Sequence, residues 1–431
     1  MRLATDTDFN KADRYLEFKL DIYFDSVPLT VTQDNYLIDA TWLEETVADT
    51  STPLIGEASS NELSFRLYNF NKIFSPTNHY SPYHNKIKLG VKVVPYIRPK
   101  DKEVVWLALG EYYVTAWDTT ITDTFVDVTA NDIWHNILNS PLSLYSITTN
   151  ISYYNLLTTG LTMMGYTASV DAGLTEIIPF AYINSSAKEF IKGIVAACLA
   201  YATSDRNGDP IIRKYNPSGT IRATLTDNDQ LKVLNVKQSI LKAYNGVQLS
   251  YSIPSISEDT ELINITNKSI PSGDTTLTNL QFSNSPLWDI SYVHVEKAIT
   301  IGYEARQGYL DLTVNSGAAA TINIKVVGKY LQFTTTKLED SATKLLAYSN
   351  NFIQTSSYAA TFKGILKNYL DLDIPIMVVE IRGNPLFNLG DKLTIISDRY
   401  DTAFTGLISR MTYKFTGGLS CTLVLLNENI F

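Results

Sequence analysis

The sequence predicts a mainly β protein with α+β insertions, and three observations support this fold class. A chain of 431 residues is too long for one hydrophobic core, so roughly two to four domains are expected. Tyrosine (27) and phenylalanine (17) are abundant, and these side chains suit a pleated, half-buried surface. A short pattern, Leu-Gly-x-Lys followed by an apolar residue, occurs near both ends of the chain. Together they predict two similar β-modules with other material between them.

The repeated pattern spans residues 89–93 in the first copy and 389–393 in the second. Each copy is followed by a strand, a turn and a long hairpin. The alternative is chance similarity between two β-rich segments. The residues that mark the two copies are Leu89, Gly90, Lys92, Gly110, Trp117, Gly383, Asn384, Pro385, Leu389, Gly390, Asp391, Lys392, Gly417 and Gly418.

The first module is predicted to occupy residues 1–140. Alternation of apolar and polar residues predicts strands there, with Leu63, Phe65 and Leu67 sharing one buried face. The predicted strands are 16–24, 36–45, 57–69, 86–97, 104–117 and 124–130. A short helix at 132–138, capped by Asp132 or Asn131, closes the module.

Residues 141–235 are predicted to form a small α/β domain. One helix is expected at 151–164, with an apolar face from Tyr154 to Met164 and a stop at Gly165. A second is expected at 186–201, because Ser186 and Glu189 have capping-box spacing.

The rest of the chain is predicted to return to strands. Asn207-Gly208 is expected to form a two-residue hairpin turn, because both positions of that turn need positive φ. Residues 236–255 together with 375–431 form the second predicted module. Between them, residues 256–374 are expected to form a β-sandwich-like insertion ending in helices at 340–347 and 356–370.

Composition excludes several classes of function. A net charge of −9 argues against general nucleic-acid binding, which needs a cationic surface. The first ten residues are too polar for a signal peptide, and the longest apolar run is far short of the ~20 residues that span a bilayer. Cys198 and Cys421 lie in apolar settings, which favours two buried free thiols over a disulfide.

No pattern in the sequence predicts catalysis, a metal or a cofactor. The four histidines lack zinc-ligand spacing, and residues 205–209 lack the spacing of a calcium loop. Glu44 and Glu45 are adjacent on a strand, so they point to opposite faces and cannot act as an acid/base pair. The five tryptophans could form a sugar-binding platform, but four lie in the first module, where core packing or a subunit contact is favoured. This favours an assembly component over an enzyme.

Four sets of motifs resemble the baseplate hub or tail-tip proteins of tailed bacteriophages, in the form common in phages and prophages of Gram-positive bacteria. The motifs are Ser-Ser-Asn-Glu-Leu-Ser-Phe-Arg-Leu-Tyr-Asn (59–69) with 74–78 and 81–83; Leu-Gly-Glu-Tyr-Tyr-Val-Thr-Ala-Trp-Asp (109–118) with 128–132; 186–190 with 205–208 and 244–247; and Gly-Asn-Pro-Leu-Phe-Asn-Leu-Gly-Asp (383–391) with 417–419. They are spread over nearly the whole chain in the expected order. Residues 256–350 depart most from the family pattern, and the family offers no catalytic motif to transfer.

The resemblance implies a homotrimer in which each chain supplies two tube-type β-barrels to a pseudo-hexameric ring. Such a ring would join a six-fold tail tube or distal tail protein ring to a three-fold tip, spike or tape-measure protein. It implies a protein of the virion tail tip, assembled in the host cytoplasm, without stable membrane insertion. Gly90 and Gly390 would then occupy equivalent places in two superposable barrels. The acidic composition would suit a channel through which DNA passes without specific binding.

Two other functions remain open from the sequence. In one, the chain is a receptor- or glycan-binding tail protein, with residues 256–335 as the binding module. In the other it is a cell-wall hydrolase, which lacks support because no paired carboxylates or Cys/His pair lie in a suitable setting.

Overall fold

The chain is mainly β in the computed structural model, as the sequence predicted. The structure describes residues 2–10, 15–45, 56–100, 103–119, 124–142, 147–182, 186–227, 233–236, 244–397 and 403–431. Among these residues, no helix combines the length and the apolar character that crossing a bilayer requires.

The N-terminal segment is built mainly from strands. They are β1 (Leu16–Tyr23), β2 (Leu29–Thr32), β3 (Leu37–Glu45), β4 (Glu57–Ala58), β5 (Glu62–Tyr68), β6 (Lys92–Pro99), β7 (Leu107–Ala108), β8 (Tyr112–Thr119) and β9 (Phe125–Asn131), with helices α1 (Asp6–Asn10) and α2 (Ile133–Leu138) and a 3-10 turn at Phe70–Lys72. The strand predicted at 104–117 is broken at Gly110, where φ is +117°. Helix α2 begins as predicted, because the Asp132 side chain accepts a hydrogen bond from the Trp134 N–H.

The middle segment mixes strands and helices. They are β10 (Thr148–Ser152), α3 (Tyr153–Met163), β11 (Ser169–Val170), β12 (Ile177–Ala181), α4 (Ala187–Ala197), β13 (Ala200–Ser204), β14 (Pro210–Lys214), β15 (Ile221–Thr226) and β16 (Val233–Val236). The predicted capping box of Ser186 and Glu189 is present. Helix α4 ends earlier than predicted because Leu199 adopts a φ of +57° and turns the chain into β13.

Two details of this segment correct the sequence prediction. Tyr154, predicted on the apolar face of α3, is exposed, and Tyr153 is buried in its place. The β13–β14 hairpin has a longer loop than the predicted two-residue turn, and only Gly208 there has positive φ (+87°). The Asp205 carboxylate accepts hydrogen bonds from the backbone N–H groups of Asn207 and Asp209, which stabilises the longer loop.

The C-terminal segment is again mainly strands. They are β17 (Gly246–Ile256), β18 (Thr260–Ile270), β19 (Gly273–Gln281), β20 (Leu287–Glu296), β21 (Ile299–Ala305), β22 (Tyr309–Ser316), β23 (Ala320–Glu339), β24 (Leu345–Asn350), β25 (Ile376–Arg382), β26 (Lys392–Ile396), β27 (Phe404–Phe415) and β28 (Leu419–Asn427), with helix α5 (Ser356–Asp371) and a 3-10 turn at Glu428–Ile430. The helix predicted at 356–370 is confirmed as α5. The helix predicted at 340–347 is wrong, because residues 340–344 have no regular structure and β24 begins at Leu345, where it pairs in parallel with β17.

One 14-stranded sheet contains strands from both ends of the chain. Its order is β16-β25-β28-β27-β3-β5-β9-β8-β6-β1-β2, with β26 beside β27, β15 beside β26 and β7 beside β6. Strands β15 and β16 come from the segment predicted as a small α/β domain, and they pair with β26 and β25. The two predicted β-barrels are not confirmed, because within the described residues the pairings leave this sheet open and join both ends of the chain in it.

Smaller sheets flank the main one. A four-stranded sheet, β11-β14-β13-β4, and the pair β10–β12 lie with helices α3 and α4. The remaining strands form a five-stranded sheet (β18-β23-β17-β24, with β20 beside β23) and a three-stranded sheet (β19-β22-β21). Side chains from this β18–β23 region form a hydrophobic core separate from that of the rest of the described chain. We refer to residues 260–330 as the distal β-region.

Candidate functional site: the junction between two strand sets

Two sets of five strands have the same order in the main sheet. The first strand set (β3, β5, β6, β8 and β9) is ordered β3-β5-β9-β8-β6, and the second (β16, β25, β26, β27 and β28) is ordered β16-β25-β28-β27-β26. In this order, β3 corresponds to β16, β5 to β25, β6 to β26, β8 to β27 and β9 to β28. Every pairing within each set is antiparallel. The sets differ at one end, where β1 is antiparallel to β6 but β15 is parallel to β26.

Gly90 and Gly390 adopt the same conformation at the same place in the two strand sets. Each has a φ of +81°, in the left-handed region that favours glycine. The Gly90 N–H donates to the Val114 carbonyl oxygen at 2.8 Å, and the Gly390 N–H donates to the Ile408 carbonyl oxygen at 2.8 Å. In return, the Val114 N–H donates to the carbonyl oxygen of Val91, and the Ile408 N–H donates to the carbonyl oxygen of Asp391, both at 2.9 Å.

A β-bulge follows this contact in both strand sets. The pairing register shifts between Val114 and Ala116 on β8, and between Ile408 and Arg410 on β27. A bulge inserts one residue and bends its strand, so its position is a specific structural marker. Counted from the bulges, Trp117 corresponds to Met411.

The two glycine turns differ in what covers them. The Tyr201 hydroxyl donates to the Leu389 carbonyl oxygen at 2.8 Å, and a Cβ added at Gly390 would collide with that hydroxyl. A Cβ added at Gly90 would meet no atom within 4 Å. Leu389 is 6% exposed, whereas Leu89 is 67% exposed. The turn of the second strand set is therefore covered by β13, and the turn of the first is open.

The two strand sets meet where β3 pairs with β27, from Ala40 opposite Phe415 to Glu45 opposite Arg410. Buried aromatic rings stack across this contact. The ring centroids of Trp42 and Tyr413 lie 4.7 Å apart, and those of Phe18 and Phe415 lie 4.9 Å apart. Stacked aromatic pairs contribute about 0.5–1.5 kcal/mol beyond the area they bury. The contact therefore has both backbone hydrogen bonds and a packed core.

Arg206 connects the β13–β14 loop to both strand sets. Its guanidinium forms a close ion pair with Glu44 on β3 and donates to the carbonyl oxygens of Pro385 (3.2 Å) and Phe387 (3.0 Å). Burial raises the pKa of the Glu44 carboxyl, and the charge and hydrogen bond of Arg206 partly offset this effect. A buried charge is costly unless it is paired, so Arg206 and Glu44 depend on each other.

Residues 383–391 surround the same junction. The Asn384 carbonyl oxygen accepts a hydrogen bond from the Tyr413 hydroxyl at 2.8 Å, and its side chain donates to Asp6 at 2.9 Å. Gly383 packs so closely against Leu419 that a Cβ would clash. Burial raises the pKa of the Asp391 carboxyl, which accepts a hydrogen bond from the Asn388 N–H. The structure therefore brings most of the predicted C-terminal residues together at the junction.

The other predicted marker residues lie away from it. Lys92 forms an ion pair with Glu111 at 2.9 Å, and Lys392 pairs with Glu428 at 2.5 Å. The Trp117 indole N–H donates to the Phe74 carbonyl oxygen at 2.9 Å. Gly417, with a φ of +87°, and Gly418 form the turn of the β27–β28 hairpin.

Among the described residues, no group of three or more His, Cys, Asp or Glu side chains could hold a metal ion. His79 and His84 form an exposed pair with ring nitrogens 3.1 Å apart. Cys198 and Cys421 are buried free thiols, as predicted.

No pattern in the sequence indicated that Arg206 and Tyr201 reach the junction. Arg206 contacts Glu44 and Phe387, which lie 162 and 181 positions away from it in the sequence. Local sequence patterns carry no information on contacts between residues so far apart. The one available signal is a loop arginine beside an otherwise apolar hairpin, which is too common to identify a buried ion pair.

Two solved structures that share the overall fold of this chain are tail proteins. The 43 kDa tail protein of prophage MuSo2 from Shewanella oneidensis is 10% identical, with a TM-score of 0.56 over 96% of this chain and 99% of that one. The tail protein from Neisseria meningitidis MC58 is 7% identical, with a TM-score of 0.54 over 96% of this chain and 97% of that one. No family model and no curated protein matches the sequence. At these identities the likeness shows the fold alone, and this chain has the fold of those two tail proteins.

Proposed function

We propose that the chain is a structural hub of a bacteriophage tail tip or baseplate, located in the virion and without catalytic activity. The observation that carries this proposal is the equivalence of the two strand sets in order, glycine turn and bulge position. Three chains, each with two similar sets, would present six similar faces. Such a trimer would join a six-fold tail tube, or a distal tail protein ring, to a three-fold tip, spike or tape-measure protein.

The equivalence also supports a duplication of one β-module in this chain. We propose the domain limits 1–140, 141–235, 236–255 plus 375–431, and 256–374, with one revision. Because β15 pairs with β26 and β16 pairs with β25, the second module would begin near Ile221 rather than at residue 236. The structural role assigned to the marker residues, such as Gly90 and Gly390, is to form the turns that define each module.

The ring would surround a channel for DNA. The net charge of −9 suits passage of a polyanion, because like charge prevents adhesion to the wall. A ring whose channel-facing side chains were mainly basic would contradict this part of the proposal.

The mass of the native assembly tests the proposal directly. The full chain, alone or mixed with the tail-tube protein of the same phage, should form a particle that contains three copies of the 48.2 kDa chain, measured by native mass spectrometry. A chain that stays monomeric with the tube protein, or forms only even-numbered assemblies, would refute the hub function. Release of soluble fragments from purified peptidoglycan would instead favour a hydrolase.

A receptor- or glycan-binding role is the second candidate, and one observation favours it. Ile299 (73% exposed), Ile301 (55%) and Tyr303 (50%) alternate along β21 and leave an apolar stripe on the surface of the distal β-region. Exposed apolar stripes of this kind often mark contact surfaces. If the full chain bound host cell walls, and the variants Ile301→Ser and Tyr303→Ser lost that binding, the receptor role would be supported.

A further inference from the structure

We propose that His79 and His84 form a binding site for a divalent transition-metal ion. The two histidines lie on the segment between the 3-10 turn at Phe70–Lys72 and β6, and we refer to residues 74–84 as the histidine loop. Their spacing of five positions matches no common zinc motif, but the folded loop brings the two imidazole rings together. The proposal is independent of the hub function, because it concerns a surface loop rather than the junction between the strand sets.

The distance between the two rings suits a shared metal ion. His79 Nδ1 lies 3.1 Å from His84 Nε2, and the ring planes are inclined at 62° to each other. Two zinc–nitrogen bonds of about 2.0–2.1 Å at the tetrahedral angle place their nitrogens about 3.3–3.4 Å apart. A small separation of the two rings would therefore let both nitrogens bind one ion.

The other ring nitrogen of His84 has a backbone partner. His84 Nδ1 lies 3.2 Å from the carbonyl oxygen of Pro76. Since a carbonyl oxygen can only accept a hydrogen bond, Nδ1 carries the proton, and Nε2 of the neutral ring presents its lone pair toward His79. Histidines that bind a metal usually donate from their second ring nitrogen to a carboxylate or a backbone carbonyl. His84 therefore has the hydrogen bonding of a metal ligand.

Hydrogen bonds within the histidine loop fix the backbone between the two rings. The N–H of Asn78 donates to the Ser75 carbonyl oxygen at 3.0 Å, and the N–H of Ser81 donates to the Asn78 carbonyl oxygen at 3.0 Å. The N–H of His84 continues the series and donates to the Ser81 carbonyl oxygen at 3.1 Å. Because these turns already order the loop, binding of an ion would cost little conformational entropy.

Buried aromatic rings attach the histidine loop to the core. Phe74 is fully buried, and its backbone N–H donates to the side-chain oxygen of Asn69 at 2.8 Å. The Tyr83 ring stacks on the rings of Phe24 and Phe74, with ring centroids 4.8 Å and 5.8 Å apart. The loop is therefore held at both ends, which is the support that a preorganised metal site needs.

The two ligands indicate the class of ion and its effect. Imidazole nitrogens select zinc, copper or nickel over magnesium and calcium, which prefer oxygen ligands. Within the described part of the chain, no third His, Cys, Asp or Glu side chain joins the pair. His79 is exposed, so water would fill the remaining coordination positions. The ion would then act as a cross-link between the two histidines within the loop.

Zinc titration of the full chain, prepared without a histidine tag, tests the site. In isothermal titration calorimetry, His79→Gln and His84→Gln should each weaken zinc binding at least about ten-fold, because loss of even a second-shell partner costs about 10–100-fold in metal affinity. His294→Gln is the matched control, because His294 is exposed on β20, and it should bind zinc as the unaltered chain does. Cys198 and Cys421 are buried and should not compete for zinc.

Hydrogen exchange locates the bound ion. Zinc should slow amide exchange in peptides covering residues 74–84 of the unaltered chain and of His294→Gln, but not of the double variant with His79→Gln and His84→Gln. Without zinc, exchange outside the loop should be the same in all three proteins, which would show that the variants fold. Calcium and magnesium should not slow exchange in the loop, because neither ion favours imidazole.

Three results would overturn this inference. They are an unaltered chain that does not bind zinc, zinc binding that survives in the double variant, and protection of the histidine loop by calcium as strong as that by zinc. None of them would affect the hub function, which is tested by the mass of the assembly. A chain that stays monomeric with the tube protein would instead refute the hub function and leave the metal site standing.

Discussion

Replacing Arg206 by methionine should destabilise the junction between the strand sets more than replacing any exposed charged residue. Methionine keeps much of the side-chain length and removes the charge that faces Glu44, whose side chain is 8% exposed. Breaking a buried ion pair from one side costs about 3–5 kcal/mol, because the remaining charge stays buried and unpaired. The carbonyl oxygens of Pro385 and Phe387 also lose a donor.

The penalty should depend on pH. Burial already raises the pKa of Glu44, and loss of Arg206 should raise it further. A carboxyl with a higher pKa in the folded state than in the unfolded state binds more protons when folded, so stability falls as pH rises above the unfolded-state pKa. Arg206→Met should therefore be less harmful at pH 5 than at pH 8. The double variant with Glu44→Gln should recover part of the loss at pH 8, because it removes the unpaired charge.

Native-state hydrogen exchange is the appropriate assay, because it reports the stability of the junction separately from that of the distal β-region, which has its own core. Peptides covering β3 and β27 should exchange faster in Arg206→Met, and peptides of the distal β-region should be unchanged. Arg66→Met is the matched control, because Arg66 and Asp127 form an ion pair in which each side chain is 46% exposed. If the amides of β3 and β27 exchanged at the same rate in both variants, Arg206 would have no special role at the junction.

Three further predictions follow from local geometry. Gly390→Ala should lower the melting temperature more than Gly90→Ala. Both substitutions cost about 1–2 kcal/mol of left-handed backbone strain, but only Gly390→Ala also displaces the Tyr201 side chain. Equal decreases in melting temperature would contradict this prediction. Burial raises the pKa of Asp132 to about 7, so the folded state holds a proton that the unfolded state loses near pH 4. The free energy of unfolding should then fall by up to about 4 kcal/mol between pH 4 and pH 7, and Asp132→Asn should abolish this fall; an unchanged pH profile in chemical denaturation would refute it. Ser186→Ala should cost about 1 kcal/mol and speed amide exchange at the start of α4, and unchanged exchange would show that the capping box adds nothing.

Local signals in the sequence predicted much of the fold. Ser186 with Glu189, and Asp132, identified helix starts because capping depends on residues within one turn. The alternation of Leu63, Phe65 and Leu67 correctly predicted a strand with one buried face. The repeated pattern led to the expectation that Gly90 and Gly390 occupy equivalent places, and both glycines adopt a φ of +81°, in the left-handed region that favours glycine.

Tertiary contacts decided what the sequence could not show. The segment at 340–347 has helical composition, but parallel pairing of β24 with β17 outweighs that local preference. The pairing of β3 with β27 joins residues more than 350 positions apart, which no local pattern reveals. The same holds for Arg206, whose role depends on Glu44 and Phe387 meeting at one loop. The residues at 383–391 could be singled out because turn-forming residues are recognised from the local sequence. Their meeting at the junction could not be predicted in this way, because it depends on contacts with distant residues.

We propose that each chain supplies two equivalent strand sets to one closed ring. An electron-microscopy reconstruction of the assembled tail tip, calculated without imposed symmetry, tests this most directly. We expect three chains and six superposable strand sets, with Gly90 and Gly390 at the same radius and height in alternating positions. A ring with a different number of chains, or with Gly90 and Gly390 at different radii, would contradict the claim.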